Sequence, residues 1–172
     1  SATKVIYLDF DGQLVGSDSI WSRNFNNNQP IDAQAYDIGD GSGSGAFSDA
    51  ELTRIQRIWQ RVSEDFAPFD VDVTTEEPAA ADLAKSGTGD EHWGVRVVIS
   101  PTSSWYGGAG GVAYVGSFNW SSDEPVWVFS SSLASGHEHY TAVAVSHEIG
   151  HALYLRHDGT STSNYHKGGG AG

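Results

Sequence analysis

The sequence contains neither cysteine nor methionine. Without cysteine there is no disulfide framework, so redox chemistry gives no information about the compartment. Basic residues are also scarce: 9 lysines and arginines face 22 aspartates and glutamates, which gives a formal net charge of −13. A field of that sign repels nucleic acids and anionic membranes, so we expect neither as a partner.

Long hydrophobic runs are absent as well. A transmembrane helix needs roughly 20 consecutive apolar residues, and the apolar runs here are short, as in Val95–Ile99. No signal peptide precedes Ser1, so we expect a processed or trimmed chain. The 172 residues are enough for one domain that buries roughly 70% of its unfolded surface.

The pattern of apolar residues predicts a strand, a long helix, several strands and a second helix. Ser48 and Glu51 have the spacing of a capping box, and the helix that they begin should end before Pro68. Residues 17–45 are rich in Asn, Ser, Gly and Asp and predict long loops. The remaining predictions are strands at 4–10, 70–75, 95–99, 111–118 and 126–130, and a helix at 140–153.

The second helix contains the pattern His-Glu-x-x-His at His147, Glu148 and His151. Positions i and i+4 lie on one face of a helix about one turn apart, so both imidazoles can reach one metal ion. Glu148 is placed to act on a water molecule without binding the metal itself. The pattern therefore predicts a catalytic zinc site.

A catalytic zinc ion needs a third protein ligand, and His157 is our candidate. On a straight helix His157 would lie about 240° around the axis from His151 and ~9 Å further along. Asp158 would return to the same face, but ~10 Å beyond His151. The helix must therefore break after Leu153 for His157 to reach the ion.

These twelve residues, HEIGHALYLRHD, resemble the metzincin zinc-peptidase signature HExxHxxGxxH, and the final Asp158 is similar to the reprolysin (adamalysin) branch. The resemblance is to metzincins of the bacterial type, and it implies an α+β fold. We expect a metzincin-like N-terminal subdomain that consists of a mixed, twisted sheet of about four to five strands, a backing helix and an active-site helix. We assign residues 1–158 to this catalytic upper subdomain and 159–172 to a Gly/Ser-rich remnant of, or lead-in to, a lower subdomain.

Two positions depart from the metzincin pattern. Tyr154 occupies the place of a glycine that lets the chain turn, so it either tolerates a strained backbone or turns by another geometry. The family also has a methionine-containing turn beneath the zinc, whereas this chain lacks methionine and ends 15 residues after His157. We therefore expect a truncated lower subdomain. A gluzincin-type third ligand is excluded, because no glutamate follows Glu148.

The resulting hypothesis is a secreted, monomeric, bacterial-type zinc endopeptidase that acts on extended protein or peptide substrates. Zinc would polarise the scissile carbonyl and activate a water molecule, with Glu148 as general base. The resemblance implies that substrate adds a strand along Gly111, Val112 and Ala113, although these residues could equally form an ordinary edge strand. The alternative function is a catalytically impaired zinc-binding module on a peptidase scaffold.

A second metal site is also conceivable, because residues 40–51 match key positions of a calcium-binding EF-hand loop. Asp40, Ser42, Ser44 and Glu51 would be the ligands, with an affinity of ~millimolar order because only two of them are carboxylates. The competing interpretation is a loop in which Ser48 and Glu51 only cap the helix. Calcium at this loop could stabilise the alternative zinc-binding module. A calcium-dependent interaction domain centred on residues 40–51 is a third hypothesis, but it would leave the three histidines unexplained.

Overall fold

The structure is a computed structural model that describes residues 2–41 and 46–159. Within these residues the helices and strands, in chain order, are β1 (Lys4–Asp9), β2 (Gln13–Val15), α1 (Ile20–Phe25), β3 (Ile31–Ala33), α2 (Asp49–Phe66), β4 (Val71–Thr74), β5 (Trp93–Ser100), β6 (Gly111–Val112), β7 (Val126–Phe129) and α3 (Glu138–Ala152). Short 3-10 turns occur at Ala80–Leu83, Ser117–Asn119 and Ser130–Ser132.

The main sheet has the strand order β4-β1-β5-β7-β6. Strands β4, β1, β5 and β7 are mutually parallel, and β6 pairs antiparallel with β7 at one edge. The central position of β5 explains its apolar sequence, because its residues from Gly94 to Ser100 are all buried. The expected α+β architecture with a mixed sheet is confirmed.

Helix α2 begins at the capping box that the sequence predicts. The Ser48 hydroxyl accepts a hydrogen bond from the Glu51 N–H at 3.2 Å, and the Glu51 carboxylate accepts one from the Ser48 N–H at 2.9 Å. Ile58, Val62 and Phe66 then face the sheet and are buried. Each such side chain contributes roughly 1.5–3 kcal/mol of hydrophobic stabilisation, which fixes the backing helix on this face.

Alternation along β5 separates two layers of side chains. Val97 and Ile99 pack in the same cluster as α2 and α3, whereas Val98 belongs to a cluster on the opposite face. That second cluster is aromatic and includes Trp21 and Trp127, both essentially inaccessible to solvent. Both faces of the sheet are thus covered, and α2 and α3 lie together on one of them.

The prediction of long loops over residues 17–45 is wrong in part. Helix α1 forms because the Ser19 hydroxyl accepts from the Trp21 N–H at 3.1 Å, while the Glu124 carboxylate accepts from the Ser19 hydroxyl at 2.6 Å. The Trp21 indole N–H donates to the Pro125 carbonyl at 2.9 Å, which anchors the helix to the sheet. Strand β3 pairs with β2 in a separate two-stranded sheet. Partners distant in sequence stabilise these short elements, so local pattern is a poor guide to them.

The strand predicted at residues 111–118 is also too long. Strand β6 ends at Val112, Gly116 adopts φ +82°, and a 3-10 turn follows at Ser117–Asn119. The left-handed glycine ends any extended conformation at that point.

The proposed division at residue 158 stays a prediction, because residues 160–172 lie outside the described part of the chain. Among the described residues, every helix is too short or too polar to cross a bilayer.

Candidate metal centre and substrate cleft

Helix α3 is held firmly on the sheet and on α2. Val145 and Ile149 are completely buried in the core. The Ser146 hydroxyl donates to the Asp65 carboxylate at 2.7 Å, and Arg57 forms a salt bridge with Glu138 at 3.1 Å. These contacts fix the rotation of α3 about its axis, so the face that carries His147 and His151 points away from the core.

The helix ends at Tyr154, which has φ +72°. The Tyr154 N–H donates to the His151 carbonyl at 3.0 Å, and the Leu155 N–H donates to the Gly150 carbonyl at 2.9 Å. This pair of bonds is a Schellman motif, which usually has glycine at the left-handed position. Of the two possibilities stated in the sequence analysis, a strained backbone at Tyr154 or a different turn geometry, the structure shows the first. Tyr154 adopts the left-handed conformation that glycine usually has in this turn.

The turn brings His157 back to the two helix histidines. The Nε2 atoms of His147, His151 and His157 lie 3.0, 3.0 and 3.1 Å from one another. Each Nε2 offers either one N–H or one lone pair, so three mutual contacts cannot all be hydrogen bonds. Three lone pairs facing one point are what a cation requires, and atoms at these separations can all lie ~2.1 Å from a zinc ion.

Hydrogen bonding and burial favour the ligating form of two of these imidazoles. His151 Nδ1 lies 2.8 Å from the Leu155 carbonyl. A carbonyl only accepts, so Nδ1 carries the proton, and Nε2 of the neutral ring is left with its lone pair. Burial, together with the charges of His151 and His157, lowers the pKa of His147 and favours its neutral form.

Glu148 lies beside the triad as a buried carboxyl group. Its side chain is 7% exposed, and burial raises its pKa to about 7. A pKa near neutrality suits a group that must both take up and release a proton. The residue that the sequence assigns as general base thus lies buried beside the three imidazoles.

Gly111 makes room for that carboxyl group. A methyl group at Gly111 would lie 2.8 Å from Glu148 Cγ, 3.0 Å from Glu148 Oε1 and 2.7 Å from the Trp127 carbonyl. The distances to Glu148 Cγ and to the Trp127 carbonyl are shorter than a carbon atom tolerates, and the distance to Glu148 Oε1 is a tight contact. The start of the edge strand therefore lies directly against Glu148, and a side chain at this position would displace it.

A cleft of about 870 Å³ runs between β6 and α3. Gly111, Val112 and Ala113, the predicted substrate strand, line one side of it, and the three histidines and Glu148 line the other. The structure thus brings the predicted edge strand and the predicted zinc ligands to one cavity. The lining residues that the sequence did not single out include four with large side chains, namely Tyr106, Leu133, Tyr140 and Arg156.

Only one of these four residues, Tyr140, could have been predicted from the sequence. Tyr140 lies seven residues before His147, at i−7 on the same helix face, and helical spacing could have identified it. Tyr106 and Leu133 come from loops, and Arg156 lies beyond the helix end, so their positions depend on the tertiary fold.

Comparison with known proteins agrees with this geometry. Residues 52–158 match the family described as Metallo-peptidase family M12B Reprolysin-like. The matched segment is more than half of the chain, and it ends with the His157-Asp158 pair. The chain belongs to this family of reprolysin-like metallopeptidases. No curated protein matches it.

Membership of the reprolysin-like family agrees with the expected metzincin-like fold and with a zinc-peptidase scaffold. Its members are zinc-dependent, and the three converging imidazoles of this chain are compatible with that metal. The match begins at Leu52 and so covers α2 to the third histidine, leaving the N-terminal strand, β2, α1 and β3 outside it.

The calcium hypothesis gains no support. Ser42 and Ser44 lie outside the described residues, and the Glu51 carboxylate accepts from the N–H groups of Ser48 at 2.9 Å and Ile38 at 3.2 Å. Asp37, which the sequence did not suggest, lies near Asp40 and Glu51. Glu51 thus has the capping role that the competing interpretation assigned to it.

Proposed function

We propose that the protein is a zinc-dependent endopeptidase that hydrolyses peptide bonds in extended substrates. The observation that carries the proposal is the convergence of three Nε2 atoms at 3.0–3.1 Å beside a buried carboxyl group on the same helix. A purely structural zinc site has no use for an adjacent buried carboxyl group that does not bind the metal.

His147, His151 and His157 would hold the metal. A zinc ion bound by three neutral imidazoles supplies Lewis-acid chemistry, in which it polarises a carbonyl and lowers the pKa of water. The Nδ1–H of His151 donates to the Leu155 carbonyl, which fixes the ring orientation. Such outer hydrogen bonds also raise the basicity of the ligating nitrogen.

Glu148 would move the proton. As a carboxylate it accepts a proton from the water molecule whose oxygen attacks the scissile carbonyl carbon. It then delivers that proton to the nitrogen of the leaving amine as the C–N bond breaks. Gly111 supports this role because it lets the carboxyl group lie against the edge strand, next to the path of the substrate.

Substrate would bind as an added strand along Gly111, Val112 and Ala113. Strand β6 pairs with β7 on one side only, and its other side borders the cleft. Backbone hydrogen bonds to such an edge hold an extended peptide without regard to its sequence. The cleft walls are then left to select the side chains.

Secretion and a monomeric state are part of the same proposal. Both rest on the metzincin resemblance, and reprolysin-type peptidases are often extracellular. The expected partners are protein or peptide substrates, because the net charge of −13 opposes binding to nucleic acid or anionic membrane. Size-exclusion chromatography with light scattering would test the monomeric state.

The test of the proposed activity is the Glu148→Gln variant, which keeps the shape of the side chain and removes the base. We expect it to bind one zinc per chain, as the unaltered protein does, and to lose cleavage of an unstructured protein by at least ~100-fold. The alternative, a zinc-binding module without activity, predicts one bound zinc and no cleavage in either protein.

A further inference from the structure

The two ends of the cleft differ in chemistry. At one end Leu133, Tyr140 and Val143 present apolar surface, with Tyr140 and Val143 both more than half exposed. Arg156 also lines the cleft. Among the described lining residues, the three histidines, Glu148 and Arg156 are the only ones with a carboxyl group or a basic side chain. Arg156 is the only one of these that is always positively charged.

Contacts of the segment 110–116 show which end is which. Gly110 lies near Leu133, since a methyl group there would be 3.2 Å from Leu133 Cδ2. Gly116 lies at the other end, where its N–H donates to the His151 carbonyl at 3.0 Å and Tyr154 packs against it. The segment therefore runs from the apolar end to the end where Tyr154 lies. We place Arg156 at this second end, because it follows Tyr154 by two residues and lines the cleft.

Arg156 is available for a ligand. It is exposed, and within the described part of the chain no carboxylate forms a salt bridge with it. In a protein with net charge −13 an unpaired arginine in the cleft is notable, because there are many acidic groups that could have neutralised it. A guanidinium group can bind a carboxylate through two parallel hydrogen bonds.

We propose that Arg156 binds an acidic side chain of the substrate on the amino-terminal side of the scissile bond. This inference rests on the proposed peptidase function. A peptide that pairs antiparallel with Gly111–Ala113 runs from the Arg156 end towards Leu133 and Tyr140, because the segment 110–116 runs the opposite way. Its residues before the cleaved bond then pass Arg156, and its residues after the bond pass the apolar end.

The test uses matched peptides in which one glutamate, or glutamine in its place, occupies each of the three positions on either side of the cleaved bond. For the zinc-loaded protein we expect kcat/KM to be roughly fivefold higher with glutamate at one or more of the positions before the bond. The preference should shrink as salt is raised, since the ion pair is exposed to solvent.

Three variants assign the preference to Arg156. The ratio of kcat/KM for glutamate over glutamine should fall to about 1 in Arg156→Gln and survive in part in Arg156→Lys, which keeps the charge. It should be unchanged in Arg61→Gln, a control on the exposed face of α2 outside the cleft. An unchanged ratio in Arg156→Gln overturns the inference, and so does a preference confined to positions after the bond.

A binding experiment tests the acidic subsite independently of peptidase activity. The affinity of the zinc-loaded Glu148→Gln protein for the same peptides, labelled with a fluorophore, is measured by anisotropy with and without Arg156→Gln. A glutamate preference that depends on Arg156 supports the acidic subsite even if the unaltered protein cleaves nothing, a result that would refute only the proposed function. Equal affinities for the glutamate and glutamine peptides count against the subsite even if cleavage occurs.

Discussion

The ring of Tyr154 lies against the backbone of Gly116. A methyl group at Gly116 would be 2.5 Å from Tyr154 Cζ and 3.0 Å from Cδ1. Both residues have left-handed backbones, with φ +72° and +82°, and both donate their N–H to the His151 carbonyl. The turn at Tyr154, which brings His157 back to the metal site, is therefore stabilised by contact with Gly116, in the segment that follows β6. We call this contact the brace.

Replacing Gly116 by alanine tests this brace. The methyl group would both clash with the Tyr154 ring and strain the backbone, so we expect a loss of about 1–3 kcal/mol in the free energy of unfolding and a weaker affinity for zinc. Gly39→Ala is the control, because Gly39 has φ +76° and nothing within 4 Å of a new methyl group. Urea unfolding and zinc titration that give equal losses for both variants would contradict the contact.

A pair of substitutions at Tyr154 isolates the backbone strain. Isoleucine and asparagine both remove the ring, but a β-branched residue tolerates positive φ poorly, whereas asparagine adopts it more readily. We expect the zinc-loaded isoleucine variant to be less stable than the asparagine variant by about 1–2 kcal/mol. Equal unfolding free energies would mean that residue 154 is not left-handed in solution.

Gly111→Ala should separate metal binding from catalysis. Because the three atoms nearest to the new methyl group belong to Glu148 and Trp127, we expect it to displace the Glu148 carboxyl group, with one zinc still bound per chain and a loss of activity of at least ~10-fold. Gly108→Ala, three residues earlier and with open space around it, should keep full activity. Metal analysis measures the zinc content of each variant, and an initial-rate assay measures its activity. Normal cleavage by Gly111→Ala would argue against the position of the base.

The pH dependence of stability reports on Glu148. In the metal-free protein its pKa of about 7 lies above the ordinary value of 4.5, so the folded state holds this proton more tightly than the unfolded state does. Its contribution to stability is complete below about pH 4.5 and is lost as pH rises through 7. Glu148→Gln should therefore gain stability relative to the unaltered protein over that range, by about 3 kcal/mol above pH 7.

Urea unfolding in the presence of a chelator measures this difference at each pH. Adding zinc should reduce it, because a nearby cation favours the carboxylate. A difference in unfolding free energy that does not change with pH would show that Glu148 is not held in a desolvated site.

The sequence predicted those parts of the site that depend on local spacing. His147 and His151 share a helix face because of the i, i+4 relation, and Ser48 with Glu51 defines a helix start within four residues. Helix geometry also required a break after Leu153 for His157 to reach the site. Helix geometry alone could not predict the backbone conformation of Tyr154. That conformation depends on the hydrogen bonds of the Schellman motif and on contact with Gly116, 38 residues earlier in the chain.

The missed features depend on long-range contacts. Helix α1 has six residues and is anchored through Ser19 and Trp21 to residues more than 100 positions away. Arg156 lies beyond the end of α3, and only the tertiary fold shows that it lines the cleft. Val143 is an apolar residue of α3, yet it is 55% exposed and lines the cleft rather than the core.

Titration of the metal-free protein with zinc, followed by cleavage of an unstructured protein, tests the central claim most directly. If His147, His151 and His157 form one catalytic site, activity should rise linearly to one equivalent of zinc, level off there, and disappear when o-phenanthroline removes the metal. Binding of one zinc with no cleavage at any stoichiometry would contradict the account and leave a metal-binding module in its place.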